Sequence, residues 1–233
     1  AALSALVATS ALAQDPSEAA FRGLYKELVE INTTASVGSC TAAAQAMGAR
    51  LKAAGFPDRD VRVVFPDEHP KAGALLATLH GKDPKAGAIL LMAHIDVVEA
   101  KREDWARDPF KLVEEGGYFY ARGASDDKAM AAIFTDSLVR YKQEGFKPRR
   151  DLKLALTCGE EGGQFNSVPW LLEKYPEAMK ADFALNEGDD SQLDEKGQPR
   201  LLGIQVGEKV YMDYNLEVTN AGARFLGGNA KFD

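Results

Sequence analysis

The apolar positions of this chain follow two periods that alternate along the sequence. Spacings of three and four residues predict helices near Pro16–Ile31, Thr41–Ala54, Ala129–Tyr141 and Val168–Tyr175. Continuous or β-rich apolar runs predict strands at Val61–Phe65, Leu75–Leu79, Ala88–Val98, Leu152–Cys158, Phe183–Leu185 and Leu201–Val206. Strands separated by helices indicate an α/β fold in which helices cover both faces of the sheet.

The pattern changes near residue 209. Every second residue from Val210 to Val218 is apolar, which predicts a strand with one buried and one exposed face. A second domain is therefore expected, and we place its boundary between residues 207 and 208.

A short apolar segment opens the chain. Ala1–Ala13 is uncharged and ends in Ala-Leu-Ala before Gln14, which is typical of the apolar part and cleavage site of a secretory signal peptide. A buried N-terminal helix is the alternative. We interpret residues 1–13 as a signal peptide remnant and expect an exported protein, periplasmic or secreted, without a membrane-spanning segment. Because the sequence starts without Met, it is expected to be a fragment.

The composition excludes one class of partner. The 233 residues include 35 Asp and Glu against 28 Lys and Arg, which gives a formal charge of −7. A protein that binds nucleic acid needs a basic face to neutralise phosphates, so this acidic balance argues against nucleic acid as a partner.

The two cysteines, Cys40 and Cys158, lie far apart in the sequence. Export permits a disulfide, but two such cysteines do not make a disulfide framework. Cys158 ends an apolar run and Cys40 lies near a predicted helix start. We therefore expect two free thiols.

A histidine and an acid stand at the end of the longest apolar run. His94 and Asp96 occupy the carboxyl end of Ala88–Val98, and open α/β sheets bind ligands outside the carboxyl ends of their strands. Side chains two residues apart on a strand share a face, so one can bind a metal while the other orients it. Taken alone, the pair is more often a surface histidine near an acid.

Two further acidic groups are ambiguous by themselves. The adjacent carboxylates of Asp126 and Asp127 repel each other, which a bound divalent cation would offset. A solvated turn or a helix cap is the alternative for this pair. Glu187 follows a predicted strand and is equally consistent with an ordinary loop acid.

Glu160 and Glu161 lie between glycines directly after the strand Leu152–Cys158. Because neighbouring side chains diverge, one carboxylate can bind a metal while the other faces a substrate as a general base. Four strand ends of the sequence are thus followed by an acid or a histidine. Such a set of side chains fits zinc or a related ion better than a nucleophilic triad.

Four motifs follow one another along the chain: HIDVV (94–98), RGASDDK (122–128), TCGEEGG (157–163) and LNEG (185–188). In these motifs and their order, the sequence resembles the zinc metallopeptidase family of glutamate carboxypeptidase, carboxypeptidase S, aminoacylase and succinyl-diaminopimelate desuccinylase. The resemblance implies a three-layer α/β/α catalytic domain with a mostly parallel mixed sheet over residues 14–207. It further implies an α+β lid, which also serves for dimerisation and would begin within residues 208–233.

The resemblance also implies two zinc ions that share one carboxylate. The first zinc would have the ligands His94, Asp126 and Glu187, and the second zinc would have Asp126 and Glu161. Asp96 would orient His94, and Glu160 would be the general base. A cis peptide bond is expected between Asp126 and Asp127.

Two histidines of the family pattern have no counterpart here. The family supplies a late histidine to the second zinc and a lid histidine to the developing oxyanion. The three histidines of this sequence, His69, His80 and His94, all precede Glu187. The second zinc is therefore expected to lack a ligand, and His80 is expected to be an exposed loop histidine rather than a substitute.

The predicted function is hydrolysis of a C–N amide bond in a small peptide or an N-acyl amino acid, of the carboxypeptidase or aminoacylase type. The chain is expected to be a truncated member with little activity alone, and a complete lid would allow a homodimer. A non-catalytic exported binding protein and a single-metal deacylase of the same fold are the alternatives. Glu160 argues against the binding protein, which has little need of a general base.

Overall fold

The computed structural model describes residues 16–83, 85–163, 165–188 and 191–203. The predicted signal remnant, residues 1–13, and the predicted lid, residues 208–233, lie outside the described residues. The chain divides after Glu187 into two compact units, and each is described by itself.

A five-stranded mixed sheet forms the centre of the first unit. The strands among the described residues are β1 (Val61–Val64), β2 (Ala74–Leu79), β3 (Ile89–His94), β4 (Val113–Glu115), β5 (Tyr118–Tyr120), β6 (Leu152–Thr157), β7 (Phe183–Leu185), β8 (Ser191–Leu193) and β9 (Pro199–Leu202). The sheet has the order β1-β2-β6-β3-β7, while β4 and β5 pair separately. β2 is antiparallel to β1 and β6, whereas β6, β3 and β7 are parallel. Four strands thus point the same way, and their carboxyl ends meet at one edge.

Helices form where the apolar spacing predicts them. They are α1 (Pro16–Glu30), α2 (Cys40–Ala53), α3 (Lys128–Gln143), α4 (Ser167–Lys174) and the short α5 (Pro176–Met179), which the pattern does not predict. Ser39 caps the start of α2, since its side chain accepts a hydrogen bond from the Ala42 backbone. Gly55 follows α2 with a φ of 99°, a conformation that favours glycine.

The helices cover both faces of the sheet, as the sequence predicts. On one face, α1, α2 and α3 pack their buried side chains, such as Leu28, Met47 and Leu138, against the strands. On the other face, Leu171 of α4 and Met179 of α5 do the same. Consecutive strand residues point to opposite faces, and both faces are apolar. This explains why the central strands are continuous apolar runs.

The cysteines contradict the sequence-based expectation of free thiols. Cys40 and Cys158 form a disulfide, with their Cα atoms 6.1 Å apart. The two residues are separated by 118 positions in the sequence, but Cys40 begins α2 and Cys158 directly follows β6. The fold brings the start of this helix to the end of that strand. Their distance along the chain was therefore no guide to their distance in space.

The second unit contains a hairpin of β8 and β9. The strands are antiparallel, with Ser191 opposite Leu202. In the turn, the carboxylate of Asp194 accepts hydrogen bonds from the backbone of Lys196 and Gln198, both at 2.8 Å. None of the helices among the described residues has the length and apolar character required to cross a bilayer.

Candidate metal centre

His94 is the last residue of β3, and Asp96 follows it at the carboxyl edge of the sheet. Both are buried, with exposed fractions of 3% and 4%. The imidazole Nδ1 lies 3.1 Å from the Asp96 backbone oxygen and 3.6 Å from its carboxylate Oδ1. The Asp96 carboxylate also accepts hydrogen bonds from the backbone of Glu160 and Glu161, at 3.3 and 3.0 Å. Asp96 thus links β3 to the loop after β6.

The loop between β5 and α3 brings two carboxylates to the same histidine. Asp126 Oδ1 lies 2.9 Å from His94 Nε2. Asp127 Oδ2 accepts a hydrogen bond from the backbone N–H of His94, at 3.2 Å. The predicted cis peptide bond between Asp126 and Asp127 is confirmed. The alternative role of Asp127 as a side-chain cap of α3 does not apply, because its carboxylate accepts no bond from the helix N-terminus.

Two glutamates complete the group around the imidazole. Glu187 Oε2 lies 3.5 Å from His94 Nε2, and Glu160 Oε2 lies 3.7 Å from it. The ligand atoms of His94, Asp127 and Glu187 all lie within 4.8 Å of one another, as do those of His94, Asp126 and Glu161. The structure therefore brings together every predicted site residue, while their separate roles stay predictions.

The charges at this site perturb each other. Burial alone lowers the pKa of His94, but the hydrogen bond and charge of Asp96, with the charges of Glu187 and Asp127, raise it to about 10. Burial raises the pKa of Asp127 to about 7, with a further contribution from the charge of Glu187. Burial and neighbouring carboxylates also raise the pKa of Glu161 and that of Glu187. A bound cation would relieve this repulsion.

The donor set fits zinc. Zinc is commonly bound by imidazole nitrogen and carboxylate oxygen, and these are the atoms that converge at His94. A metal-binding histidine usually has a carboxylate or a carbonyl at the ring nitrogen that does not bind the metal, and Asp96 lies at Nδ1 of His94. Because the carboxylates come from separate loops, a cation at this point would also hold those loops together.

A cleft of about 790 Å³ opens beside Asp96 and Glu161. Its walls come from the loop after α1, the loop between β1 and β2, and the loop after β6. The ring of His69 stacks on that of Phe165, with centroids 4.8 Å apart. The cleft therefore has an aromatic wall close to the candidate metal ligands.

Two buried residues of the site were not singled out from the sequence. The sequence indicates Asp127 only as one of a pair with Asp126 or as a helix cap. Lys128, the first residue of α3, is completely buried. Burial lowers the pKa of Lys128 to about 7, against the opposing effect of Asp96. The signal for both was the unusual run of two acids and a lysine at a helix start.

Known proteins resemble this chain in sequence and in fold. The profile of peptidase family M20/M25/M40 matches residues 90–226. Aminoacylase-1 from Sus scrofa is 32% identical over 174 residues, which are 73% of this chain and 41% of that protein. The chain thus spans less than half the length of this relative.

Solved structures show the same fold. The M20 family metallo-carboxypeptidase Sso-CP2 from Sulfolobus solfataricus has a TM-score of 0.61 at 21% identity, over 78% of this chain and 39% of that one. Human carnosine dipeptidase 1 has a TM-score of 0.57 at 22% identity, over 74% and 39%. The mixed α/β sheet and its helices therefore match the catalytic domain of such peptidases.

Proposed function

This chain belongs to peptidase family M20/M25/M40, and on that premise we propose that it is a zinc-dependent hydrolase of C–N amide bonds in small peptides or N-acyl amino acids. The observation that carries the proposal is the arrangement around His94. Three carboxylates, those of Asp126, Glu160 and Glu187, lie within 2.9–3.7 Å of its Nε2 atom. Such a group at the carboxyl edge of an α/β sheet suits a metal-assisted hydrolysis.

The residues divide into ligands and groups that handle protons. His94, Asp126 and Glu187 would hold one zinc ion, and Asp126 and Glu161 a second. Asp127 lies close enough to His94 and Glu187 to join the first set. Zinc bound there would polarise the scissile carbonyl and lower the pKa of the attacking water.

Glu160 is the proposed general base. Its side chain is 53% exposed, so substrate and water can reach it, while its backbone N–H is fixed by Asp96. The Glu160 carboxylate would accept a proton from the attacking water and deliver it to the nitrogen of the leaving amine. Asp96 would keep the His94 ring in place through its contacts at Nδ1.

The substrate class follows from the relatives and from the cleft. An aminoacylase and a dipeptidase both act on small amides, as their names say. The cleft beside Glu161 is large enough for an apolar group, and Val97, Val98 and Phe165 contribute to its lining. We therefore propose small amides with an apolar side chain or acyl group as substrates.

The number of zinc ions is a separate part of the proposal. Both three-residue groups of candidate ligands contain the same imidazole, that of His94. The sequence has only two other histidines, His69 and His80, and neither belongs to these groups. We propose that this chain binds one zinc ion tightly and a second weakly, and that it turns over slowly by itself. Export and a homodimer through a lid remain part of the same proposal.

Zinc analysis combined with an activity assay tests these statements. The purified chain would be dialysed against a weak chelator, analysed for zinc, and assayed on a panel of N-acetyl amino acids and dipeptides. We expect about one retained zinc ion and a slow release of amino acid that a strong chelator abolishes. Absence of any retained zinc would refute the metal site. Two tightly bound zinc ions with rapid turnover would refute the single-zinc part alone.

A further inference from the structure

Lys128 is the largest completely buried side chain among the described residues, with an exposed fraction of 0%. Lysine is seldom buried without a carboxylate partner. Within the part of the chain that the structure describes, no ion pair involves Lys128. Burial of an amine requires that its N–H groups find other acceptors.

The acceptors are two backbone oxygens at the end of α1. Lys128 Nζ donates to the Ile31 oxygen at 2.6 Å and lies 3.5 Å from the Val29 oxygen. These carbonyls belong to the last turn of the helix and the residue after it, where no intrahelical partner remains. One side chain thus joins the start of α3 to the end of α1.

This connection involves the turn that carries the candidate metal ligands. Lys128 directly follows Asp126 and Asp127, so a shift of its backbone moves both carboxylates. The aliphatic part of Lys128 also lies close to Gly123 in the same turn. A Cβ atom added to Gly123 would lie 3.2 Å from the Lys128 Cδ. The Lys128 side chain therefore contacts the turn with its aliphatic part and the end of α1 with its amine.

The end of α1 in turn reaches the strand that carries the histidine. Thr34 forms an isolated parallel bridge with Val97, and the Val97 backbone N–H donates to the Thr33 oxygen at 3.4 Å. Val97 follows Asp96 directly. The segment after α1 thus connects Lys128 on one side with the His94–Asp96 strand end on the other.

We propose that Lys128 is a positioning residue for the metal centre. It fixes the Asp126–Asp127 turn relative to the His94–Asp96 strand end, through the carbonyls at the end of α1. Without its N–H donors, the carboxylates lose their fixed distance from His94 and bind a cation more weakly. This role rests on the proposed zinc site, but it concerns zinc affinity rather than turnover.

The test compares two buried variants of the same helix. Lys128→Met keeps most of the side-chain volume and removes the N–H donors. Thr135→Val, the matched control, removes a buried hydrogen bond from Thr135 to the Ala131 oxygen on α3, two turns away from the ligands. Zinc affinity would be measured by competition with a chromophoric chelator, geometry by the absorption spectrum of bound Co²⁺, and folding by urea unfolding of the metal-free proteins.

We expect Lys128→Met to bind zinc about 10–100-fold more weakly and to show an altered Co²⁺ spectrum. Thr135→Val should keep both properties even if it unfolds at lower urea. Lys128→Gln, which retains an N–H donor, should bind zinc with intermediate affinity. Wild-type zinc affinity and an unchanged Co²⁺ spectrum in Lys128→Met would overturn this proposal alone, whereas a wild-type chain that binds neither metal would overturn the zinc site as well.

A measurement on the wild-type chain covers the case in which Lys128→Met does not fold. Residues 31–34 contain none of the candidate ligands, yet they are connected to the ligand turn through Lys128. Addition of zinc should therefore slow amide hydrogen exchange in residues 31–34 as well as at the ligands. If zinc leaves exchange in that segment unchanged, the proposed connection does not exist.

Discussion

Histidine–carboxylate groups lie at both ends of the central sheet, and they differ in burial. At the carboxyl edge of β3, the His94 side chain is 3% exposed and faces Asp126 at 2.9 Å. At the opposite end, His80 follows β2 and is 60% exposed, between Asp60 at 3.2 Å and Asp151 at 3.4 Å. The nitrogen–oxygen distances of the two groups are therefore similar, and their burial is not.

The difference lies in what water can do for each group. Around His80, solvent screens the charges, and such exposed pairs contribute about 0–1 kcal/mol. Around His94, burial of the imidazole reduces that screening, and several carboxylates face one ring. Against the lowering effect of burial, Asp96 and the nearby charges of Glu187 and Asp127 raise the pKa of His94 to about 10. Burial raises the pKa of Asp127 to about 7. The feature that separates the two groups is the burial of the imidazole itself, and a buried histidine among acids is the stronger indication of a metal site.

Removal of each imidazole gives the largest expected contrast. His94→Ala should lose zinc binding by more than about 100-fold, since even residues behind a ligand contribute 10–100-fold. His80→Ala, the matched control at the other end of the sheet, should keep wild-type zinc affinity and activity. Zinc titration and the amide hydrolysis assay measure both. Equal zinc affinity in the two variants would show that the buried group is not the metal site.

Glu160→Gln separates turnover from metal binding. The amide keeps the shape of the side chain but cannot accept a proton from water, so we expect kcat to fall by about 10²–10⁴-fold. Zinc content should stay at the wild-type level, because Glu160 is not a proposed ligand. Unchanged turnover would exclude Glu160 as the base. A wild-type chain that binds zinc but hydrolyses no amide would favour the non-catalytic alternative.

The strand ends could be predicted from the sequence because burial on both faces leaves a clear pattern. β3 is apolar almost throughout, so His94 and Asp96 stand out at its end, and the edge at which they lie follows from the α/β fold. Asp126 and Glu161 were linked to a metal by the order of their motifs, which is a family property. Their distances to His94 come only from the structure.

Other features could not be predicted, because they depend on how loops turn in space. Whether both carboxylates of a neighbouring pair reach one histidine is decided by the backbone between β5 and α3, and no periodicity describes it. The disulfide between Cys40 and Cys158 depends on the start of α2 meeting the end of β6. The burial of Lys128 depends on the end of α1. Each of these is a contact between segments that lie far apart in the chain.

Asp96→Asn tests the contact between Asp96 and the Nδ1 atom of His94. Asp96 lies against His94 Nδ1 and accepts backbone hydrogen bonds from Glu160 and Glu161, so the amide would weaken several of these contacts at once. We expect a 10–100-fold loss in zinc affinity or kcat. Asp60→Asn, the equivalent change beside His80, should have no effect on either. A harmless Asp96→Asn would mean that the ring of His94 is held by the backbone oxygen alone.

The last expected effect is a pH dependence to which His94 contributes with opposite signs, in zinc affinity and in the stability of the metal-free protein. Zinc must displace the proton of His94, so zinc affinity should rise with pH by up to about tenfold per unit below the His94 pKa of about 10. The contribution of His94 to the stability of the metal-free protein should instead fall as pH rises. The folded pKa of His94 lies above its ordinary value of 6.5, so the stabilisation is complete below pH 6.5 and is lost as pH rises towards 10.

Zinc titrations and urea unfolding of the metal-free chain between pH 7 and 9.5 measure these two slopes. Asp127, whose raised pKa is about 7, affects the stability slope mainly below this range. Lys128, whose pKa is lowered from 10.5 to about 7, contributes within it, because stability rises with pH where only the unfolded chain keeps that proton. The contribution of His94 is therefore the difference between the stability slopes of the wild-type chain and His94→Gln. His80→Ala should leave both slopes unchanged, whereas His94→Gln should make the stability slope more positive, since the falling contribution of His94 is gone and the rising contribution of Lys128 remains. An equal stability slope in His94→Gln and in the wild-type chain would mean that His94 is already neutral without metal. The carboxylates would then not dominate its environment, and the contrast between the two ends of the sheet would lie in burial alone.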